Sequence, residues 1–129
     1  MKKTQIIVIL GASDQEERYA NKAQKLLMEH GYTVVPVHPT LGTAEGVPVT
    51  GSLSEVSRNP DVLTIYVRPK TSTELAAKIL ALRPKIVIFN PGTENPEFEA
   101  ALAEAGIRTV RACTIMLLTN GRFEEVTGV

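Results

Sequence analysis

Five short, nearly uninterrupted apolar runs, each closed by a turn signal, constrain this chain more than any other feature. They are Ile6–Leu10, Thr33–Val37, residues 62–67, Ile86–Phe89 and residues 107–110. Runs this short and rich in valine and isoleucine read as strands buried on both faces, whereas a half-solvated strand would alternate apolar with polar residues. Between most of them lies a helical stripe. Ala20, Ala23, Leu27 and His30, widened by Leu26, follow the first run and stop at Gly31. Thr71-Ser72-Thr73-Glu74 has capping-box spacing and opens a stripe of Leu75, Ala76, Ile79 and Leu80, which Arg83-Pro84 ends. Asn95-Pro96 reads as an N-cap with proline at the first helical position, before Phe98, Ala101, Leu102 and Ala105. Residues 114–118 form a short last helix stopped by Asn120-Gly121, and the tail beyond reads as frayed.

Parallel strands cannot be joined by tight hairpins and need crossovers, usually helical and right-handed. The β-α-β-(loop)-β-α-β-α-β alternation therefore predicts an α/β fold, a doubly wound, Rossmann-like sheet of five parallel strands in the order 3-2-1-4-5. The interruption is a glycine- and proline-rich loop, residues 40–51, in which residues 47–49 are expected as an edge piece and Ser52-Leu53-Ser54-Glu55 as a turn or two of helix. At 129 residues, without repeats or a linker, the chain is expected to be one domain, residues 1–129 with a core of about 5–120.

Composition removes whole classes of function. Lys plus Arg total 14 and Asp plus Glu total 14, a formal net charge of +0 that supplies no field to gather a nucleic acid. One cysteine and two histidines allow neither an internal disulfide nor a closed zinc site. The apolar run after Lys2-Lys3 spans only Ile6–Leu10, shorter than the roughly 7–15 residues of a signal-peptide core. No stretch approaches the roughly 20 apolar residues of a membrane span, so a cytoplasmic protein without membrane attachment is expected.

In an open α/β sheet, ligands sit beyond the carboxyl ends of the strands where strand order reverses. That rule selects residues 11–18, 38–42, 68–72 and 90–93. A glycine directly after a buried strand permits a tight turn, and amides at the helix start that follows can face a phosphate. Gly11-Ala12-Ser13 suits that role, yet it is not the dinucleotide fingerprint, because Ser13 and Glu16 occupy the second and third glycine positions. Asp14, Glu16 and Glu17 add negative charge that Arg18 and Lys22 would have to offset. The second strand ends in His38-Pro39, without the carboxylate that accepts from the ribose of NAD. Catalytic chemistry has few carriers. His30 falls at a helix C-terminus, which suits its charge, and Cys113 precedes the short last helix. Glu124-Glu125 read as solvated charge, no signature of a nucleophile, metal or P-loop site is present, and no enzymatic activity is expected.

Three stretches together carry a resemblance. They are Gly11-Ala12-Ser13 with Arg18 and Lys22, then Gly31-Tyr32-x-Val34-x-Pro36-Val37-x-Pro39, then Gly46-x-x-Val49-x-x-Ser52-Leu53-x-Glu55-Val56. This pattern resembles the small bacterial CoA-binding domain proteins, whose fold also forms the amino-terminal domain of the succinyl-CoA synthetase α subunit, and it extends from Ile6 to Thr119. The resemblance implies a stand-alone protein that binds CoA or an acyl-CoA. Gly11, Ala12 and Ser13 would take its pyrophosphate or 3′-phosphate region, and His38-Pro39, where the family has Asn-Pro, would lie near the adenosine. Arg68, Pro69 and Lys70 would follow the third strand, while Asn90 and Gly92 of the Asn90-Pro91-Gly92 turn would border the pantetheine arm. A cysteine near the last helix, here Cys113, is a common family feature. Two departures stand out: Arg68 replaces a small or apolar residue, and the Asn90-Pro91-Gly92 turn replaces a Gln-x-Gly type. Arg68 either strengthens phosphate binding or fills the cleft. The alternatives are a ligand-free Rossmann-fold interaction or scaffold subunit and an NAD(P)-binding protein. Pairing of an edge strand or helix face into a homodimer is compatible with so small a domain.

Overall fold

The computed structural model describes residues 4–129. Its elements are β1 (Ile6–Leu10), α1 (Tyr19–Glu29), β2 (Thr33–Val37), β3 (Thr43–Ala44), β4 (Val47–Pro48), a 3-10 turn (Leu53–Glu55), β5 (Val62–Ile65), α2 (Pro69–Glu74), α3 (Ala76–Leu82), β6 (Ile86–Phe89), α4 (Pro96–Glu104), β7 (Arg108–Arg111), α5 (Thr114–Thr119) and α6 (Phe123–Thr127). The five predicted strands form one parallel sheet in the order β2-β1-β5-β6-β7, and β3 and β4 pair as a separate antiparallel hairpin.

The α/β class and the five-stranded, Rossmann-like parallel sheet are as expected, but the strand order is not. Counted within the sheet it is 2-1-3-4-5 rather than 3-2-1-4-5, because β5 pairs with β1 (Val8 beside Leu63, Leu10 beside Ile65) instead of extending the sheet past β2. Pro36 supplies the physical reason. It lies inside β2 and has no N–H to give a second neighbouring strand, so β2 belongs at an edge. The outer side of β2 receives only a single bridge to Thr50, whose amide donates to the Pro36 carbonyl at 2.9 Å. β5 and β6, buried at every residue, take the interior positions, and β7, with Arg108 and Arg111 exposed, forms the other edge.

Right-handed crossovers then distribute the helices. Ile7 and Ile9 of β1 share one face of the sheet with Val62, Ile86 and Ile88, under Ala20 and Leu27 of α1, Leu117 and Leu118 of α5 and Phe123 of α6. Val8 and Leu10 share the other face with Leu63, Ile65, Val87 and Phe89, under Leu53, Ile79, Leu82, Phe98 and Leu102. The chain thus leaves β1 toward one face and β5 toward the other, and a crevice opens between their carboxyl ends.

Local departures have local causes. The third strand stops at Ile65; the Tyr66 amide makes a last bond to the Leu10 carbonyl at 2.8 Å, and Tyr66 and Val67 then border the crevice. The helix after it begins at Pro69 rather than at Thr71, because proline with its preset φ occupies the first helical position while Ser72 turns inward and donates its hydroxyl to the Pro69 carbonyl. Leu75 then separates α2 from α3. The last strand is shifted by one residue to Arg108–Arg111, leaving Ile107 buried in the connection. The expected fraying of the tail is corrected: α6 packs Phe123 against Tyr32 with ring centroids 5.3 Å apart, and Phe123 and Thr127 are buried.

Two carboxylates tie elements together and make stability pH-dependent. Burial pushes the Asp61 carboxyl up, but the Ile6 amide at 2.8 Å and the Lys85 ammonium at 2.9 Å overcome it and hold it below its ordinary value. Glu99 is held low chiefly by the paired Arg111 guanidinium at 2.9 and 3.1 Å, and also by the Asn95 amide. A depressed carboxyl stabilises the fold above its unfolded pKa, near 4, and that contribution disappears as pH falls through the folded value. Urea midpoints are therefore expected to hold down to about pH 5 and decline below it, with a shallower decline in Glu99→Gln; parallel slopes for the two proteins would contradict the assignment.

Candidate functional site

Gly11 ends β1 at the point of reversal. Its φ is +91°, and a Cβ built there would lie 2.8 Å from Val67 Cγ1 and 3.1 and 3.2 Å from the Tyr66 carbonyl carbon and oxygen. Only glycine fits so close an approach of two strand ends. The turn is fastened to β2, since the Gly11 and Ala12 amides both donate to the Val37 carbonyl at 3.1 Å. These two amides are therefore occupied, which corrects the expectation that the whole of Gly11-Ala12-Ser13 offers donors. The amides of Ser13 and Asp14 find no acceptor among the described residues.

The helix that follows adds donors of its own. Arg18 is the N-cap of α1, its side chain makes no capping bond, and the first turn holds no acidic residue. The opening amides of α1 therefore keep their positive dipole end, and Tyr19 and Ala20 border the crevice. The crevice encloses about 950 Å³ between the loops after β1, β2, β5 and β6, at the upper end of the roughly 300–1,000 Å³ typical of ligand sites. Arg68 stands exposed on its rim and does not fill it.

Of the residues singled out from the sequence, Gly11, Ala12, Ser13, Arg18, His38, Pro39, Arg68 and Gly92 line this cleft; Lys22, Pro69, Lys70 and Asn90 do not. The Lys22 ammonium lies 5.6 Å from the Tyr19 ring centroid on the exposed side of α1. Pro69 points its carbonyl into the structure, toward Ser72 and Asn95, and Lys70 is exposed on α2. Asn90 is 2% exposed and lies beneath the cleft. Its Nδ2 donates to Thr64 Oγ1 (2.6 Å) and the Ile65 carbonyl (2.9 Å), its Oδ1 accepts from the Thr114 amide (2.9 Å), and its carbonyl accepts from Thr93. Both polar atoms of its side chain are engaged in joining β5, β6 and α5.

The acidic loop is less of an obstacle than its sequence suggests. Glu16 turns to Lys25 at 3.3 Å, and neither it nor Glu17 borders the cleft, leaving Asp14 as that loop's only lining carboxylate. Several lining residues escape a reading of the sequence. Glu74, Leu75 and Lys78 continue toward the cleft, from the end of α2 into α3, a stripe begun by Thr71 of the selected segment 68–72, with Lys78 Nζ 3.5 Å from Ser52 Oγ. The stripe's 3-1-3 spacing is visible in the sequence, but only once the helix is known to begin at Pro69. Tyr66 also borders the cleft, having been assigned to a strand.

The titratable groups have restricted roles. Burial pushes the Tyr66 phenol well above its ordinary range, against a smaller opposing effect of the neighbouring Thr114 and Thr64 hydroxyls. It stays protonated at neutral pH and is no base. His38 accepts the Thr40 and Leu41 amides on Nδ1 at 3.1 and 3.2 Å, so its neutral ring carries hydrogen on Nε2. His30 holds Nδ1 2.7 Å from the Leu26 carbonyl of its own helix, and Cys113 is half-buried outside the cleft lining. Among the described residues no group of three or more His, Cys, Asp or Glu could hold a metal ion, and no helix is long and apolar enough to cross a membrane.

Known proteins align with this arrangement. The protein YneT of Bacillus subtilis is 28% identical over 110 residues, 85% of this chain and 81% of its own. A solved Thermus thermophilus structure, cell-free ID.343, superposes with a TM-score of 0.85 at 33% identity, covering 93% of this chain and 91% of that one. The dinucleotide-forming acetyl-coenzyme A synthetase 1 of Ca. Korarchaeum cryptofilum, in complex with phosphate and ADP, shares the fold with a TM-score of 0.71 at 19% identity, over 84% of this chain and 25% of that one. The CoA binding domain family matches residues 5–119, which include the whole sheet and every loop that lines the cleft but not the terminal helix α6. By that match the chain belongs to the CoA binding domain family.

Proposed function

We propose that this protein binds coenzyme A, free or acylated, in the cleft between the β1 and β5 ends, and that it does so as a binding module without chemistry of its own. The observation that carries the reading is the open cleft at the sheet's reversal, where the unengaged Ser13 and Asp14 amides, the uncapped start of α1, Arg18 and Arg68 share one lining. Main-chain donors and a helix N-terminus suit a diphosphate, and two guanidiniums add charge-assisted bonds. The family match over residues 5–119 supports the cofactor class. NAD is less well served, because β2 ends in His38, whose Nε2 hydrogen can only donate, where a free ribose diol calls for an acceptor. The lack of catalysis is supported by the separation of roles: both imidazoles bond to nearby backbone, His30 to the Leu26 carbonyl and His38 to the Thr40 and Leu41 amides, and Cys113 lies outside the cleft lining.

Isothermal titration with CoA, dephospho-CoA and NADH tests the reading. CoA is expected to bind, and Arg18→Ala and Arg68→Ala are each expected to weaken it by roughly tenfold, the lower end for a charge-assisted bond at an exposed site. Asp14→Asn should tighten it a few-fold by removing a like charge. No heat with CoA at millimolar concentration would overturn the proposal.

A further inference from the structure

Asn21 lies in the first turn of α1 and is wholly buried, yet it does not line the cleft. Its Nδ2 donates to the Ser13 carbonyl at 3.0 Å and reaches Glu45 Oε2 at 3.5 Å, while its Oδ1 has no hydrogen-bond partner among the described residues. A buried amide with one end unsatisfied adds little stability, so the effect of the Ser13 bond on local geometry is the more informative one. The chain contains no cis peptide among the described residues, and in a trans peptide the carbonyl and the following N–H point in opposite directions from one plane. With the Ser13 carbonyl held toward α1, the Asp14 N–H is directed away from it. That N–H finds no acceptor among the described residues, and Ser13 and Asp14 both border the cleft.

We propose that Asn21 is a positioning residue for this cleft: by holding the Ser13 carbonyl it presents the Asp14 amide to a phosphate of the bound cofactor. The inference rests on the reading that the cleft takes a coenzyme diphosphate. Without the anchor the Ser13–Asp14 peptide is free to rotate and turn a carbonyl oxygen toward the anion, so a donor is lost and a repulsive dipole takes its place.

Asn21→Leu removes the donor while keeping nearly the same volume, and an apolar side chain suits a buried site that satisfies only half of an amide. Binding is measured by titration with CoA and with ADP, and by amide chemical shifts with pantetheine, which carries no phosphate. The expected result is a loss of roughly tenfold or more for both CoA and ADP, an unchanged pantetheine response, and disappearance of the ADP-induced shift of the Asp14 amide. If the leucine variant does not fold, Asn21→Gln, which keeps the donor but displaces it, is compared in the same way. Equal losses for pantetheine and the phosphate ligands would make Asn21 a packing residue and overturn the inference, as would unchanged ADP affinity. A wild-type protein that binds neither CoA nor ADP would remove the cofactor reading itself, and this inference with it.

Discussion

Gly11→Ala is expected to lower the thermal midpoint by about 10 °C or more. Two penalties combine. An L-residue at φ +91° is strained by roughly 1–3 kcal/mol. The new Cβ would also press on the Tyr66 carbonyl at 3.1 and 3.2 Å, and because that contact is backbone it cannot yield as a side chain would. Overpacking of this kind costs about another 1–3 kcal/mol. Relief requires β1 and the segment after β5 to separate, which opens the floor of the cleft, so CoA affinity should fall together with stability. Urea and thermal unfolding of the two proteins check this. A wild-type midpoint in the alanine variant would mean that the strand ends are not in contact, and the position of the cleft would have to be reconsidered.

Asn90→Ala should cost about 3–4 kcal/mol, the sum of several buried hydrogen bonds and a small cavity. The fully buried Thr114 amide loses its acceptor, and Thr64 Oγ1 and the Ile65 carbonyl lose a donor. Asn90→Asp keeps the acceptor for Thr114 but sets a second oxygen against the Ile65 carbonyl, so it too should destabilise. The informative contrast is with binding. The folded fraction of Asn90→Ala should retain wild-type CoA affinity, because neither polar atom of the buried Asn90 side chain is free to meet a ligand. A variant of undiminished stability and weakened binding would reverse this assignment and return Asn90 to the cleft lining.

The difference between Gly11 and Asn90 marks how far the site was legible from the sequence. Gly11 directly follows a buried run, and that position alone implies a tight turn at the carboxyl end of a strand. Asn90 also follows a buried run, but nothing nearby reveals that its side chain turns inward to residues 24 to 26 positions away. Lys78 and Tyr66 were hidden for a simpler reason: each borders the cleft from an element whose ends were placed a few residues off. Strand order was partly encoded, since Pro36 identifies an edge strand, but that signal has meaning only once neighbours on both sides of β2 are considered.

Periodicity and turn chemistry act over a few residues, and for that reason the strand positions, the Asn95 cap that accepts the Phe98 amide and the α/β class follow from the amino-acid order alone. Which strands become neighbours, which polar groups are consumed beneath the cleft and which amides are left facing it depend on contacts between segments far apart in the chain. Pro36 meets Thr50, Gly11 meets Tyr66, and Asn90 meets Thr114 only when the sheet has closed around them. Burial and competition for hydrogen-bond partners then settle the outcome, and both are properties of the packed structure.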